Sequence, residues 1–340
     1  MPRLSPAYLR KGLNISPFIP HLLPQTRTIE QSIAEMKWMY DIIKERTTVE
    51  NYKEGRMMLR GMVMRRAEGV PLQYVLGSQP FGGIDIGCRP GVLIPRWETE
   101  EWTVHLASLI QKNLIQTTTQ KIPRKLQKQF NGKKEITVPA ENTPPLHIID
   151  LCTGTGCIPL YLSTVLPPTT THIAAYDISP RALKLAKDNI AAFASHLPHP
   201  PKLHHANILH PTFSLPSNEV DLVTANPPYI PPHDWTRLTA PSVRHHEPRL
   251  ALLSPDGTGD GFYHVIAEKA FVGGARGLVM EVGGWEQAGR VEGIVKGKGW
   301  EGVKSWGDGA GRGRVVVAWR KGGGSGWRRG RRRWRRWSRR

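Results

Sequence analysis

Cysteine is scarce in this chain of 340 residues. The three cysteines, Cys88, Cys152 and Cys157, contain no Cys-x-x-Cys pair. Such a set argues against a disulfide scaffold and a structural zinc site, and it favours a reducing compartment. The thirteen histidines form no His-x-x-x-His or His-x-x-Glu-His pattern. We therefore expect no metal site.

Long apolar runs are also lacking. No uncharged run approaches the roughly 20 residues that a membrane-spanning helix needs. A composition of 39% apolar and 22% charged residues is typical of a globular protein that does not span a membrane. The length allows one large domain and a smaller one, and we expect a monomer.

Acidic residues are few, 28 against 47 basic ones, which gives a net charge of +19. Residues 320–340 hold ten arginines and one lysine without an acid, so the preceding residues carry only +8. We predict that the Arg/Trp-rich tail, 321–340, is disordered. Two interpretations remain open: weak contact with nucleic acid through arginine and tryptophan, or a solvated extension without a catalytic role.

The first thirty residues contain no acid before Glu30 but include Arg3, Arg10, Lys11 and Arg27. A basic, acid-free start is typical of a mitochondrial presequence, although prolines interrupt the amphipathic helix that such signals form. We expect a mitochondrial location, with a cytoplasmic one as the alternative.

The first eighty residues predict a small all-helical domain. Apolar residues recur at helical spacing from Thr28 to Glu45, where Thr28 and Gln31 are spaced as a capping box. A second helical stretch covers 50–67. A hairpin linker is predicted to follow the helices at 81–95.

The large domain is predicted over 96–320, with a polar stretch at 111–145 interpreted as an inserted loop. Beyond that insert, apolar strands alternate with helices; the strands are predicted at 146–151, 171–179, 219–225 and 275–283. This alternation predicts an α/β fold with a doubly wound, largely parallel sheet, whose ligands bind at the carboxyl ends of the strands.

Three strand ends carry features of an adenosine-binding site. Gly154 and Gly156, in DLCTGTGC, allow the backbone to approach a ligand beside a helix N-terminus. Asp177 ends the next strand, where an acid can accept hydrogen bonds from ribose hydroxyls. Asn207 could meet the adenine edge or simply form a turn.

A fourth strand ends in the residues NPPY, from Asn226 to Tyr229. An amide nitrogen is a poor nucleophile because its lone pair is delocalised into the carbonyl. The Asn226 side-chain oxygen and the Pro227 carbonyl can accept hydrogen bonds from such an NH₂ group and orient it. Pro227 and Pro228 fix the backbone without a competing N–H, and Tyr229 supplies a flat wall. The alternative is a turn that only ends the strand.

The chain resembles the HemK-type protein-(glutamine-N5) methyltransferases over roughly residues 67–320. The resemblance is carried, in order, by the segments RPGVLIPRWETE, IIDLCTGTGCI, AYDISPRALKLAKDN, DLVTANPPYI, HHEPRLALLSPDGTGDGFY, VMEVG and GDGAGRGRVV. It implies a seven-stranded class I methyltransferase domain behind a helical, substrate-binding domain. It also implies methylation of the glutamine in the Gly-Gly-Gln motif of a class 1 peptide-chain release factor, with S-adenosylmethionine as the methyl donor.

Site residues follow from the same motifs. The resemblance implies catalytic roles for Asn226, Pro227, Pro228 and Tyr229. It implies cofactor contacts for Asp177, Asn226 and the loop residues Cys152, Thr153, Gly154, Thr155 and Gly156, and Asn207 is a further candidate. Arg96, Glu98, Glu247 and Pro248 are expected to shape the substrate channel, or alternatively to form a structural ion pair and a loop anchor.

Some features depart from the family pattern. Cys152 stands where the first glycine of the loop is usual, and Asn207 stands where an aspartate is common. Two other functions stay open: methylation of an exocyclic amine on a nucleic-acid base, which poses the same lone-pair problem, and non-catalytic RNA binding on the same fold. The intact NPPY motif argues against non-catalytic RNA binding. The predicted N-terminal helical domain suits a protein substrate better than a nucleic acid.

Overall fold

The computed structural model describes residues 4–46, 52–113, 117–121, 135–139, 145–167, 171–216 and 220–320. A helical N-terminal domain precedes a seven-stranded sheet with helices on both faces. The Arg/Trp-rich tail lies outside the described residues, so its predicted disorder stays a prediction.

The described part of the N-terminal domain contains five helices: α1 (Pro6–Leu13), α2 (Ile19–Thr26), α3 (Ile29–Arg46), α4 (Tyr52–Ala67) and α5 (Leu72–Leu76). Their apolar faces meet in a core that contains Leu22, Met39, Leu59 and Val63. The predicted cap is present, since the Gln31 backbone N–H donates to Thr28 Oγ1 at 3.1 Å. An all-helical start is therefore confirmed.

The acid-free start of the chain is part of this helical domain. Pro6–Leu13 and Ile19–Thr26 fold as helices, and Ile19, Leu22 and Leu23 are fully buried. A cleavable presequence of thirty residues would take these side chains out of the core. The basic, acid-free segment is thus packed into the helical domain, and its role as a presequence stays a prediction.

The hairpin lies earlier than the predicted 81–95. It consists of the antiparallel strands β1 (Ser78–Phe81) and β2 (Ile84–Gly87). Gly82 and Gly83 form the turn, with positive φ at both positions, as two-residue hairpin turns require. The prediction was wrong because it placed Phe81 at the start of the hairpin, whereas the glycine pair that follows it forms the turn.

The stretch 111–145 is not a plain loop. The helix α6 (Trp97–Asn113) continues into it, and two antiparallel strands follow, β3 (Thr117–Lys121) and β4 (Glu135–Pro139). Threonine, isoleucine and valine in TTTQK and EITVP favour strand conformation. The overall polarity of the stretch hid these short β-branched runs.

The remaining elements alternate as predicted. In chain order they are β5 (Leu146–Leu151), α7 (Cys157–Val165), β6 (Thr171–Asp177), α8 (Pro180–Ala192), β7 (Lys202–His205), β8 (Leu222–Ala225), α9 (Trp235–Leu238), α10 (Pro241–His246), α11 (Gly261–Val272), β9 (Gly277–Glu281), α12 (Trp285–Gly297), β10 (Gly302–Gly307) and β11 (Gly313–Trp319). Ser179 caps α8 by accepting from the Ala182 N–H. The predicted strand bounds 171–179, 219–225 and 275–283 were each two or three residues too wide at one or both ends.

The large sheet has the order β7-β6-β5-β8-β9-β11-β10. Strands β5 to β9 are parallel, and β11 is antiparallel to both of its neighbours. Every residue of β8 and of β9 is buried, because helices cover both faces of the sheet. The predicted fold class, a seven-stranded class I methyltransferase sheet, is confirmed.

The strand order reverses at β5, which pairs with β6 on one side and β8 on the other. Such a switch point opens a crevice at the carboxyl ends of the strands. Among the described residues, no helix has both the length and the apolar character to cross a bilayer. In the same part of the chain, no cluster of three or more His, Cys, Asp or Glu is arranged to hold a metal ion.

Candidate active site

A cavity of about 250 Å³ lies at the carboxyl ends of β5, β6, β7 and β8. Seven of the residues singled out from the sequence line it: Cys152, Gly154, Asp177, Asn207, Asn226, Pro228 and Pro248. The structure thus brings the glycine loop, the strand-end acid and the NPPY motif into one space.

The two glycines of the loop after β5 serve different purposes. Gly154 has φ +57°, and a Cβ at this position would meet no atom within 4 Å, so its face is open. Gly156 has φ +77°, and its Cβ would lie 3.1 Å from the Ala186 Cβ. Gly154 leaves room for a ligand, whereas Gly156 allows the loop to pack against α8.

Cys152 adopts the left-handed conformation that a glycine would favour, with φ +60°. The backbone of the loop therefore keeps its course at about 1 kcal/mol of local strain. Its thiol is protonated, because burial raises the pKa of Cys152 well above its usual value. The side chains of Thr153 and Thr155, in the same loop, are buried and do not line the cavity.

The Asp177 carboxylate is oriented by two backbone donors. Its Oδ2 accepts from the Gly154 N–H and its Oδ1 from the Ser179 N–H, both at 2.8 Å. Burial raises the pKa of Asp177, and these N–H groups oppose that shift. Each carboxylate oxygen can accept a further hydrogen bond.

Asn207 forms the turn that the sequence left open as one interpretation, and its contact with the adenine edge stays a prediction. Its Oδ1 accepts from the Leu209 backbone N–H at 3.0 Å, which is the geometry of an Asx turn. The same residue lines the cavity beyond β7.

The NPPY motif follows β8 directly. Asn226 is half-buried, and its Nδ2 donates to the Thr99 hydroxyl at 3.1 Å. Pro227 and Pro228 are buried, and Pro228 lines the cavity. The Tyr229 carbonyl accepts from Gln287 Nε2 at 3.2 Å, so the turn is anchored to α12.

Tyr229, predicted to form a flat wall of the site, is not among the residues that line the cavity. A Cβ added at Gly283 would lie 3.3 Å from the Tyr229 ring, so the ring packs closely against the backbone after β9. Burial raises the pKa of Tyr229, and its hydroxyl stays protonated.

The predicted channel residues separate into two groups. Arg96 pairs with Glu247 at 2.7 Å, and the Glu247 carboxylate, 1% exposed, also accepts from the Ile94 N–H. This pair ties the loop before α6 to the end of α10, next to the lining residue Pro248. Glu98 instead accepts from Arg314 at 3.2 Å and from Arg312 at 3.4 Å, and it does not line the cavity.

Several site residues escaped the sequence prediction. Gly91, Leu93, Leu250 and Phe262 line the cavity. They lie in the segments RPGVLIPRWETE and HHEPRLALLSPDGTGDGFY, which carry the family resemblance, but their side chains have no polar group that would single them out. Thr99, Trp102 and Glu281 lie under Asn226 and are linked by hydrogen bonds. Glu281 carried a usable signal, because it ends strand β9 as Asp177 ends β6.

Asp150 is a buried acid beneath the glycine loop. It is fully buried, and its Oδ1 accepts from the Thr224 hydroxyl at 2.7 Å. Desolvation raises its pKa from an ordinary 3.8 to about 7. Its other oxygen has no partner among the described atoms.

Comparison with known proteins places the chain in a family. Residues 137–247 match the family model described as the methyltransferase small domain. The chain is 38% identical over 255 residues to the mitochondrial MRF1 N(5)-glutamine methyltransferase MTQ1 of Saccharomyces cerevisiae, which covers 74% of this chain and 68% of that protein. It is 35% identical to the probable MRF1 mitochondrial N(5)-glutamine methyltransferase of Schizosaccharomyces pombe, over 89% of this chain and 93% of that protein.

A bacterial relative extends the comparison. The release factor glutamine methyltransferase of Bacillus cereus is 30% identical over 207 residues, which cover 61% of this chain and 60% of that protein. The two yeast proteins match over more than two thirds of their own length, and the cavity joins a glycine loop to an NPPY motif. The chain therefore belongs to the family of release factor N(5)-glutamine methyltransferases.

Proposed function

We propose that this protein transfers a methyl group from S-adenosylmethionine to the side-chain nitrogen of the glutamine in the Gly-Gly-Gln motif of a class 1 peptide-chain release factor. One observation carries the proposal: Asn226 and Pro228 share a cavity with Gly154 and Asp177. The groups suited to hold an amide thus face the groups suited to hold the methyl donor.

The residues at the cofactor end fit S-adenosylmethionine. The open face of Gly154 admits a ligand against the backbone, and the fixed Asp177 carboxylate can accept from both ribose hydroxyls. Asn207 would meet the adenine, and Cys152, Thr153, Thr155 and Gly156 would build the loop. When bound, the sulfonium supplies an electrophilic methyl group.

The chain's own residues position the glutamine amide. The Asn226 Oδ1 and the Pro227 carbonyl would accept the two N–H bonds of the substrate, which leaves the nitrogen lone pair directed at the methyl group. Pro228, which has no backbone N–H, cannot compete for that carbonyl. A strong general base is not needed, because the methylated nitrogen is positive and loses its proton readily.

The cavity rim would guide the substrate segment. The Arg96–Glu247 pair fixes the loop that carries Gly91 and Leu93 beside Pro248. We assign Arg96, Glu247 and Pro248, three of the four predicted channel residues, to shaping the entrance of the cavity. Glu98 would act indirectly, by holding the start of α6 against Arg314 of the last strand.

A mitochondrial location forms part of the proposal. Both yeast relatives are named as mitochondrial enzymes that act on MRF1. Expression of the full chain with a C-terminal fluorescent tag, followed by fractionation, tests this point; a cytosolic distribution would contradict it.

The reaction is tested with radiolabelled S-adenosylmethionine and a purified mitochondrial class 1 release factor. We expect label on the wild-type factor and none on the variant in which alanine replaces the Gly-Gly-Gln glutamine. Transfer RNA and duplex DNA serve as parallel substrates. Label on nucleic acid alone would overturn the proposal in favour of base methylation, and would also make the tail 321–340 a candidate nucleic-acid contact.

A further inference from the structure

Three buried side chains lie under the catalytic asparagine. Thr99 is in the first turn of α6, Trp102 is one turn further on, and Glu281 is the last residue of β9. Asn226 Nδ2 donates to Thr99 Oγ1 at 3.1 Å, and that hydroxyl donates to Glu281 Oε2 at 2.6 Å. The Trp102 indole N–H donates to the same Oε2 at 2.8 Å.

Water does not compete with this chain of hydrogen bonds. Thr99, Trp102 and Glu281 are 2%, 4% and 1% exposed. In a dry environment an unmatched donor or acceptor is costly. The direction of each hydrogen bond is therefore set by the donors and acceptors within the group.

Those directions follow from one donor-only group. An indole N–H can only donate, so Glu281 Oε2 acts as an acceptor. A carboxylate oxygen also accepts from the Thr99 hydroxyl, whose hydrogen is thereby used. The lone pairs of Thr99 Oγ1 then face Asn226, and only the Nδ2 end of that amide can meet them.

We propose that Thr99, Glu281 and Trp102 are positioning residues that hold the Asn226 amide with Oδ1 towards the cavity and the NH₂ group towards α6. The inference rests on the proposed function, in which Oδ1 accepts a hydrogen bond from the substrate amide. A flipped Asn226 would present N–H bonds to the N–H bonds of the glutamine, and only the Pro227 carbonyl would remain to hold it.

The arrangement reverses if Glu281 Oε2 carries a proton. The acid then donates to Thr99, the hydroxyl donates to Asn226, and Oδ1 turns away from the cavity. Burial raises the pKa of Glu281, and Glu98 raises it further, whereas the Thr99 and Trp102 hydrogen bonds and the charge of Arg314 lower it. Tyr229, Tyr263 and Cys157 also face this carboxylate, and all three are neutral because burial raises their pKa values.

Substitutions at Thr99 test the proposal in the full-length protein with the release-factor substrate. Thr99→Val keeps the shape and removes the hydroxyl, and we expect kcat to fall by about 10- to 100-fold with an unchanged dissociation constant for S-adenosylmethionine. Thr99→Ser keeps the hydroxyl and should restore kcat. Equal kcat for Val and wild type would overturn the proposal.

Thr103→Val is the matched control. Thr103 lies one turn along α6, is fully buried and donates through its hydroxyl to the Thr99 carbonyl at 2.6 Å. The Thr103→Val variant loses a hydroxyl that is as buried as that of Thr99 but has no hydrogen bond to Asn226. A similar fall in kcat for Thr103→Val and Thr99→Val would assign the effect to helix packing and overturn the positioning role.

Glu281→Gln separates orientation from charge. A glutamine oxygen at the Oε2 position still accepts from Thr99 and Trp102, so we expect the variant to stay active. It cannot be protonated there, and the decline of kcat towards acid pH should move to lower pH. If kcat of Glu281→Gln declines at the same acid pH as kcat of the wild type, the role of Glu281 is overturned.

A spectroscopic measurement keeps this inference separate from the proposed function. With ¹⁵N-asparagine labelling, the Asn226 side-chain amide signal should shift in Thr99→Val and stay in place in Thr99→Ser and Thr103→Val. An unchanged signal in Thr99→Val overturns the positioning role even if the release factor is methylated. A wild-type protein that fails to label the release factor but shows these shifts overturns only the proposed function.

Discussion

At the residue scale, chemistry depends on the direction of a few polar atoms. Asn226 and Asp177 each lie at the end of a parallel strand, and each is held by hydrogen bonds to groups outside its own strand. Cys152 shows that the loop conformation tolerates a side chain, because its backbone has the left-handed conformation that glycine usually supplies.

Replacement of Asn226 tests the acceptor role. In Asn226→Ala one of the two acceptors for the substrate amide is lost, and we expect kcat to fall by about 10²- to 10³-fold. Calorimetric titration with S-adenosylmethionine should show that cofactor binding largely survives, since Gly154 and Asp177 are untouched. Full turnover by the variant would contradict the role assigned to Oδ1.

Asp150 gives a pH dependence with a defined sign. Its folded-state pKa, about 7, lies above its ordinary value of 3.8, so between these values the folded protein holds a proton that the unfolded chain has released. The contribution of Asp150 to the free energy of unfolding therefore falls as pH rises from about 4 to about 7 and is lowest above it.

Asp150→Asn removes this titration. We expect it to match the wild type near pH 4 and to be more stable at pH 8 by up to about 4 kcal/mol, at about 1.4 kcal/mol per pKa unit. Urea unfolding of both proteins at several pH values measures the difference in their free energies of unfolding. The contributions of other buried acids are the same in both proteins and cancel in that difference. A difference that does not vary with pH would contradict the raised pKa.

At the scale of secondary-structure elements, ion pairs join segments that are far apart in the chain. The Arg96–Glu247 pair fastens the start of α6 to the end of α10. Glu98, Asp308, Arg312 and Arg314 connect the first turn of α6 to the last strand. The start of the helix that carries Thr99 is thereby tied to two other segments of the chain.

Arg96→Ala would leave the Glu247 carboxylate buried with the Ile94 N–H as its remaining partner. We expect the free energy of unfolding to fall by about 3 kcal/mol, measured by urea denaturation. Adding Glu247→Gln should recover part of that loss, because the unpaired charge is gone.

The exposed pair of Arg89 with Asp188 offers a control on the same loop. Their atoms lie 2.6 Å apart, but the side chains are 60% and 44% exposed. Arg89→Ala should cost less than about 1 kcal/mol. Similar costs for Arg89→Ala and Arg96→Ala would contradict the structural role of the buried pair.

At the scale of the whole molecule, the helical domain includes the start of the chain. Deletion of residues 1–27 removes Ile19, Leu22 and Leu23 from the core, a loss of about 2 kcal/mol for each side chain. We expect the truncated protein to melt at a lower temperature and to lose protection from hydrogen exchange in α3 and α4.

Deletion of residues 1–3 serves as the control for this truncation, because the described core begins beyond them. It should leave the melting temperature unchanged. An unchanged melting curve after deletion of 1–27 would show that α1 and α2 do not stabilise the domain. Such a result would also support the prediction that this segment is a removable presequence.

The sequence by itself determined the fold class and the main site. Apolar strands alternate with helices, the glycine loop follows β5, Asp177 ends β6, and NPPY follows β8. Each feature is local, so it can be recognised within about ten residues of sequence. The family motifs supplied the chemistry of the amide. Local turn chemistry also predicted the cap at Thr28, which is present.

Only the tertiary structure decided which side chains meet. Thr99 reaches Glu281 across 182 residues of chain and Asn226 across 127, and no local pattern encodes such contacts. Glu98 and Thr99 are neighbours in the motif IPRWETE, yet Glu98 pairs with arginines near the last strand and Thr99 contacts Asn226, because successive residues of a helix point in different directions. The direction of the Asn226 amide depends on those long-range hydrogen bonds, since a buried donor must be matched by whatever acceptor the fold places beside it.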